Sequence, residues 1–160
     1  MRFFLLILVV ALSGLAGAVT REPTALVLNR PSVVVVYTPD AEVTEASRKE
    51  PGFADFIDDF EYYTQTVAAA LHNNKGIAFY RSTSATISFK GGEHLPVTRQ
   101  SLAGYGFIVY VPGKSPVIFR GVATDYDVLC AIQGLNPRLK VPRQCGPNKS
   151  FKPNPLRGSA

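Results

Sequence analysis

Two unbroken apolar runs mark the centre of the folded part of this chain. Residues 32–37 form a β-branched run that Thr38-Pro39-Asp40 ends, and residues 106–111 form a second run. Strands that are apolar on both faces are typical of a sheet that helices cover on each side. The pattern therefore predicts two central strands inside such a sheet.

Between these runs, one long stretch has the period of an amphipathic helix. Its apolar residues recur at three- and four-residue steps and are Phe53, Phe56, Ile57, Phe60, Tyr63, Val67 and Leu71. Residues 73–76 supply a stop signal. A shorter helix is expected from Asp125, because Thr124 is a suitable N-cap and Asp127 occupies the capping-box position, and Gly134 is expected to end it.

Shorter alternating segments predict the remaining strands. They lie at residues 25–28, 77–81, 85–89 and 117–120. Residues 112–116 predict a hairpin into the last of them. Residues 82–84 either turn between two strands or continue one long strand. Residues 41–52 are a loop or a weak helix, and residues 94–103 are a polar excursion.

The amino-terminal end has the three parts of a secretory signal peptide. Arg2 supplies the positive charge, residues 3–12 are a short apolar core, and Ala16-Gly17-Ala18 is an A-x-A cleavage site. The core is too short for a good membrane span, so stable membrane insertion is not expected. We expect a signal peptide at residues 1–18, cleavage near Ala18, and a periplasmic or secreted protein of bacterial or eukaryotic origin.

Charge is distributed unevenly along the chain, whose formal net charge is +5. Eight of the twelve acidic residues lie between Asp40 and Glu61, whereas six basic residues and no acid follow Asp127. A hydrophobic fraction of 46% suits one domain with an ordinary core, which we place at residues 19–135. Residues 136–160 form a Pro-rich basic tail. Solvated faces explain most charge runs, so no nucleic-acid partner is predicted.

Residues that could perform chemistry are few. Cys130 and Cys145 are an even pair, which in an oxidising compartment predicts one structural disulfide that ties the tail to the domain. The two histidines, His72 and His94, are far apart, and no spacing matches a metal site, a nucleophile elbow or a phosphate loop. No cofactor, metal site or catalytic residue is therefore predicted.

The closing part of the chain resembles a known fold. The strand and turn at residues 105–114, the strand at residues 117–120, Gly121 and the helix from Asp125 are similar to the end of the thioredoxin-like fold. The resemblance covers residues 32–135. It implies an α/β fold with a central mixed sheet of about four to five strands flanked by helices, and it says almost nothing about function.

The redox parts of that family have no match in this chain. After its first central strand the family has W-C-x-x-C, but here the sequence continues as Thr38-Pro39-Asp40-Ala41-Glu42. The place of the family's cis-proline is taken by Gly104-Tyr105, and residues 33–36 lack the buried acid of the central strand. The resemblance therefore implies a scaffold without thiol–disulfide chemistry.

A small exported domain without catalytic residues is most simply a binding protein, and homodimers are compatible with it. The sequence predicts a periplasmic immunity or inhibitor protein that neutralises a secreted bacterial toxin or effector. Complementary charge speeds the encounter with a basic partner. The partner surface is expected on the polar side of the long helix, at Asp55, Asp58, Asp59, Glu61 and Tyr62. For any one of these residues, a solvated helix surface is the simpler explanation.

Two other functions stay open. A divergent thiol–disulfide oxidoreductase would use Cys130 or Cys145 and would need an exposed, reducible bridge. An accessory subunit or chaperone of an envelope secretion machine would dock its basic tail on an anionic surface, in an association that salt weakens.

Overall fold

The computed structural model describes residues 25–92, 94–141 and 145, and these form a mixed α/β fold with two sheets and three α-helices. The predicted signal peptide and residues 146–160 of the tail lie outside the described residues. The strands are β1 (Leu26–Leu28), β2 (Ser32–Val36), β3 (Ala78–Ser82), β4 (Thr86–Phe89), β5 (Val97–Thr98), β6 (Gly106–Tyr110) and β7 (Val117–Arg120). The α-helices are α1 (Glu45–Arg48), α2 (Phe53–Leu71) and α3 (Asp125–Leu135).

A four-stranded mixed sheet in the order β3-β2-β6-β7 lies at the centre of the fold. β2 runs parallel to β3 and antiparallel to β6, and β6 forms an antiparallel pair with β7. Every residue of β2 and of β6 is buried. Successive side chains of a strand point to opposite faces, so burial of the whole strand requires cover on both. The two apolar runs of the sequence are therefore the two central strands.

Helices cover one face of this sheet. Side chains of α2 and α3 pack on Val33 and Val35 of β2 and on Phe107 and Val109 of β6. The buried helical side chains of this cluster are Phe60, Val67, Leu71, Val128, Leu129, Ala131 and Ile132. The N-terminus of α3 has the expected capping box between Thr124 and Asp127, but the helix continues past Gly134 to Leu135.

The other face differs from the prediction, because a second sheet covers it instead of a helix. This three-stranded sheet has the order β1-β4-β5, with β1 parallel and β5 antiparallel to β4. Its buried side chains Leu28, Ile87, Phe89 and Val97 pack on Val34, Val36, Ile108 and Tyr110 of the central sheet. Ser82 is the last residue of β3, and residues 83–85 connect it to Thr86, the first residue of β4 in the second sheet, so the chain does not continue as one long strand.

The segment after α3 is held by the predicted disulfide and by further contacts. Leu139 and Val141 pack against the helix-side core. The Asn74 side chain donates a hydrogen bond to the Lys140 carbonyl at 2.6 Å. Cys130 of α3 is bonded to Cys145, with the two Cα atoms 5.5 Å apart.

Replacing Thr64 of α2 by valine is expected to stabilise the protein by about 1 kcal/mol. Thr64 is only 1% exposed, and its hydroxyl has no hydrogen-bond partner among the described residues. Valine has the same shape and removes this desolvated hydroxyl. The matched control is Thr66→Val, because Thr66 Oγ1 donates to the Tyr63 carbonyl at 3.0 Å. Urea denaturation that finds Thr64→Val no more stable than Thr66→Val contradicts the prediction.

Candidate functional site

An open cleft of about 410 Å³ lies just beyond the carboxyl end of β2. We call it the Tyr105 cleft. One wall is Thr38, which follows β2, together with Ala103 and Tyr105, which precede β6. Side chains between Glu42 and Phe56, around α1 and the start of α2, form the remainder. Its volume lies in the range of sites that hold small molecules.

A tight turn before β6 shapes the back of the cleft. A short 3₁₀ turn at Gln100–Leu102 ends in two residues with left-handed backbone, Ala103 (φ 50°) and Gly104 (φ 87°). Thr38 Oγ1 donates a hydrogen bond to the Gly104 carbonyl at 3.1 Å. A Cβ on residue 104 would overlap this hydroxyl oxygen, so only glycine fits. The turn thereby fixes Tyr105 beside the end of β2.

Three aromatic rings line the cleft, those of Phe53, Phe56 and Tyr105. The Tyr105 ring meets Phe56 and Phe60 edge to face, with 5.4 Å between ring centroids in each pair. Phe53, one turn before Phe56, extends this row of rings at 6.5 Å. Burial, with a smaller contribution from the Asp40 carboxylate, raises the pKa of Tyr105 above its usual value, although the Thr38 hydroxyl opposes the shift. Tyr105 is therefore a neutral phenol at physiological pH.

Two carboxylates line the cleft, and their surroundings differ. Glu42 forms an ion pair with Arg99, whose side chain is only 17% exposed and also donates to the Thr83 carbonyl at 2.7 Å. Glu50 is exposed and has no ion-pair partner among the described residues. Arg48, on α1 nearby, donates to the Asp40 carbonyl at 2.7 Å.

The acidic face of α2 contains four of the five residues that the sequence selects. Asp55, Asp58, Asp59 and Tyr62 are all exposed and, being three, four and seven residues apart, share one side of the helix. We call these four the α2 acidic face. None of its three aspartates has an ion-pair partner in the described part of the chain. Glu61 instead turns to β3 and pairs with Arg81 at 2.6 Å.

Other groups that could perform chemistry lie apart from the cleft. Neither Cys130 nor Cys145 lines it. His72 is exposed at the end of α2, and the His94 ring lies 6.0 Å from Phe89 of the second sheet. Within residues 25–92, 94–141 and 145, no three His, Cys, Asp or Glu side chains come together as a metal ion requires. Over the same residues, no helix has the length and apolar character to cross a bilayer.

Sequence patterns do not reveal the Tyr105 cleft, because its walls come from segments far apart in the chain. Thr38 and Gly104 are 66 residues apart, and each is notable in the sequence only as a departure from the thioredoxin-like pattern. The phenylalanines of α2 belong to its apolar stripe, so their ring contacts with Tyr105 give no signal of their own.

No known protein family matches the chain, and neither a curated protein nor a solved structure is significantly similar to it.

Proposed function

We propose that this chain is an exported, non-catalytic protein-binding domain built on a thioredoxin-like scaffold. The scaffold is supported by the order of the central sheet, β3-β2-β6-β7, in which a parallel β-α-β unit precedes an antiparallel hairpin and a helix. The resemblance implies this order of elements. The second sheet, on the face without helices, is a feature of this chain.

The single observation that most supports a binding role is the chemistry at the end of β2. The segment where the resemblance implies reactive thiols, Thr38 to Glu42, contains no cysteine, and the Thr38 hydroxyl donates to the Gly104 carbonyl. The two cysteines are bonded to each other outside the cleft, and Tyr105 is a neutral phenol held among rings. The cleft therefore offers shape, aromatic surface and charge, which suit recognition of another molecule.

Charge indicates the class of partner. The segment from Asp40 to Glu61, which supplies much of the cleft and all three aspartates of the α2 acidic face, has eight acidic and two basic residues, a net charge of −6. The chain as a whole has a net charge of +5. A surface of one sign on a molecule of the opposite sign steers oppositely charged partners to that surface. We therefore propose a basic protein as the partner.

A toxin or effector delivered into the cell envelope is the partner we propose, with this protein as its immunity or inhibitor protein. The predicted signal peptide supports an extracytoplasmic location. Inhibition by this route needs only a rigid scaffold, an anchoring cluster of side chains and complementary charge.

Reversing charge on the α2 acidic face is expected to weaken capture of the partner strongly. The tagged protein is used to capture basic proteins from envelope extract, which are identified by mass spectrometry and then purified for affinity measurement. Because the face has no internal ion pairs, Asp58→Lys/Asp59→Lys should weaken binding at least about tenfold, mainly through the association rate. The loss should shrink as salt is added.

The control for this experiment is Glu45→Lys compared with the single variant Asp58→Lys. Each variant reverses one exposed acidic residue, Glu45 on α1 or Asp58 on the neighbouring α2. Glu45 makes only a 4.0 Å contact with Lys49. Equal binding by Asp58→Lys and the unchanged protein excludes the α2 acidic face as the partner surface. Capture of acidic proteins only excludes the proposed partner class.

A further inference from the structure

The polar groups that line the Tyr105 cleft differ in whether they already have a hydrogen-bond or ion-pair partner. Thr38 donates to the Gly104 carbonyl, and Thr44 and Ser47 hydrogen-bond each other across the N-terminus of α1. Glu42 is paired with Arg99. Of the two carboxylates that line the cleft, only Glu50 has no ion-pair partner among the described residues.

The apolar part of the cleft is aromatic. Phe53 and Phe56 are both half-buried, so part of each ring remains accessible beside Glu50. A carboxylate next to aromatic rings is complementary to a cation with an apolar stem. The rings contact the stem or the face of the charged group, and the carboxylate accepts its hydrogen bonds.

We propose that the Tyr105 cleft is an anchor pocket for an arginine side chain that projects from a basic protein partner, with Glu50 as its ion-pair partner and Phe53 and Phe56 as its stacking surface. Only the source of the arginine rests on the function proposed above. The pocket itself depends only on the residues that line the cleft.

Arginine fits this cleft better than lysine does. The guanidinium group is planar, stacks on aromatic rings and presents a fork of donors to a carboxylate, whereas an ammonium is a compact and strongly hydrated charge. The chain already contains the same chemistry, because Arg99 pairs with the neighbouring Glu42 and Arg81 lies over the Tyr37 ring at 5.3 Å.

Besides Arg99, which is paired with Glu42, two other cations in the described part of the chain lie near the proposed pocket, and neither fills it. Arg48 donates to the Asp40 carbonyl, and Lys49 extends to Glu45 at 4.0 Å with a side chain that is 80% exposed. Neither lines the cleft. The local excess of acidic residues between Asp40 and Glu61 therefore still favours an incoming cation.

The pocket can be tested on the purified protein without any partner. The probe is acetyl-Gly-Arg-Gly-amide, and the matched probe replaces arginine by citrulline, which has the same shape and no charge. In NMR titrations the arginine peptide should shift the resonances of Phe53, Phe56 and Tyr105 with a dissociation constant of roughly 1 mM. The citrulline peptide should bind at least about tenfold more weakly, a difference of about 1.4 kcal/mol.

Variants assign the charge that is recognised. Glu50→Gln should weaken binding of the arginine peptide about threefold to tenfold, because it removes a charge-assisted hydrogen bond from an exposed site. The control Glu45→Gln, which removes an acidic residue outside the cleft, should bind as the unchanged protein does. The amide spectrum of each variant verifies that its fold is unaltered.

Several outcomes overturn this proposal while leaving the binding function intact. They are equal binding of the two peptides, binding that Glu50→Gln does not weaken, shifts confined to residues outside the cleft, and no shift at about 10 mM peptide. In each case capture of a basic partner through the α2 acidic face can persist. Conversely, if Asp58→Lys/Asp59→Lys captures the partner as well as the unchanged protein does, the α2 acidic face is excluded, but the result of the peptide titration still stands.

Discussion

Gly104→Ala is expected to lower the free energy of unfolding by about 3–5 kcal/mol. Two costs combine at this position. The backbone has φ 87°, which disfavours any residue with a side chain, and the new Cβ would overlap Thr38 Oγ1. That oxygen belongs to a short β-branched side chain and donates a hydrogen bond to the Gly104 carbonyl, so it has little freedom to move away. Chemical denaturation measures the loss.

Gly113→Ala separates the two costs. Gly113 also has a positive φ, 74°, but a Cβ there meets nothing within 4 Å. Gly113→Ala should therefore lower the free energy of unfolding by only about 1 kcal/mol, the contribution of the backbone alone. In the double variant Thr38→Ala/Gly104→Ala the clashing oxygen is gone and residue 38 keeps a Cβ at 3.6 Å, an ordinary contact. The double variant should recover the steric part of the loss, with a coupling energy of at least about 1 kcal/mol. A Gly104→Ala variant as stable as Gly113→Ala refutes this account.

Removing the disulfide with Cys130→Ser/Cys145→Ser is expected to cost about 3 kcal/mol of stability. The bond closes a loop across a sequence separation of 15 residues, and in the chain-entropy account its main effect is to restrict the unfolded chain. In the folded state Leu139, Val141 and the Asn74–Lys140 hydrogen bond still hold the segment after α3. The folded state should therefore keep its shape while the unfolded state gains entropy.

Denaturation with and without reductant measures this effect. The unchanged protein should shift to a lower midpoint in reductant, whereas the serine variant should not respond. An unshifted midpoint for the unchanged protein contradicts the prediction. Reduction of insulin by dithiothreitol, with the protein as catalyst, tests the oxidoreductase alternative, and catalysis that the serine variant lacks would favour this alternative over the binding function.

Local periodicity predicts the helices and long strands of this fold better than it predicts which elements pack against them. The stripe from Phe53 to Leu71 and the capping box at Thr124 depend on residues three or four apart, so sequence alone places α2 and the start of α3. The cover on the second face of β2 depends on strands as short as the two residues of β5, Val97–Thr98, whose pairing partner lies in β4. Two residues have too little alternation to show a period.

The candidate sites divide in the same way. The α2 acidic face follows from helical spacing, which places Asp55, Asp58, Asp59 and Tyr62 together. Glu61 belongs to the same acidic run, but its contact with Arg81 joins a helix to a strand 20 residues later, and no local pattern encodes that pairing. The Tyr105 cleft needs the meeting of Thr38 with Gly104, which only the assembled central sheet provides.

The alternating valines of β2 have a consequence for how this domain unfolds. Val33 and Val35 belong to the core under the helices, and Val34 and Val36 belong to the core under the smaller sheet. One strand thus serves two hydrophobic interiors, and stripping away either layer would expose apolar surface of that strand to water. Neither layer is then an independent cooperative unit, and the domain loses both together.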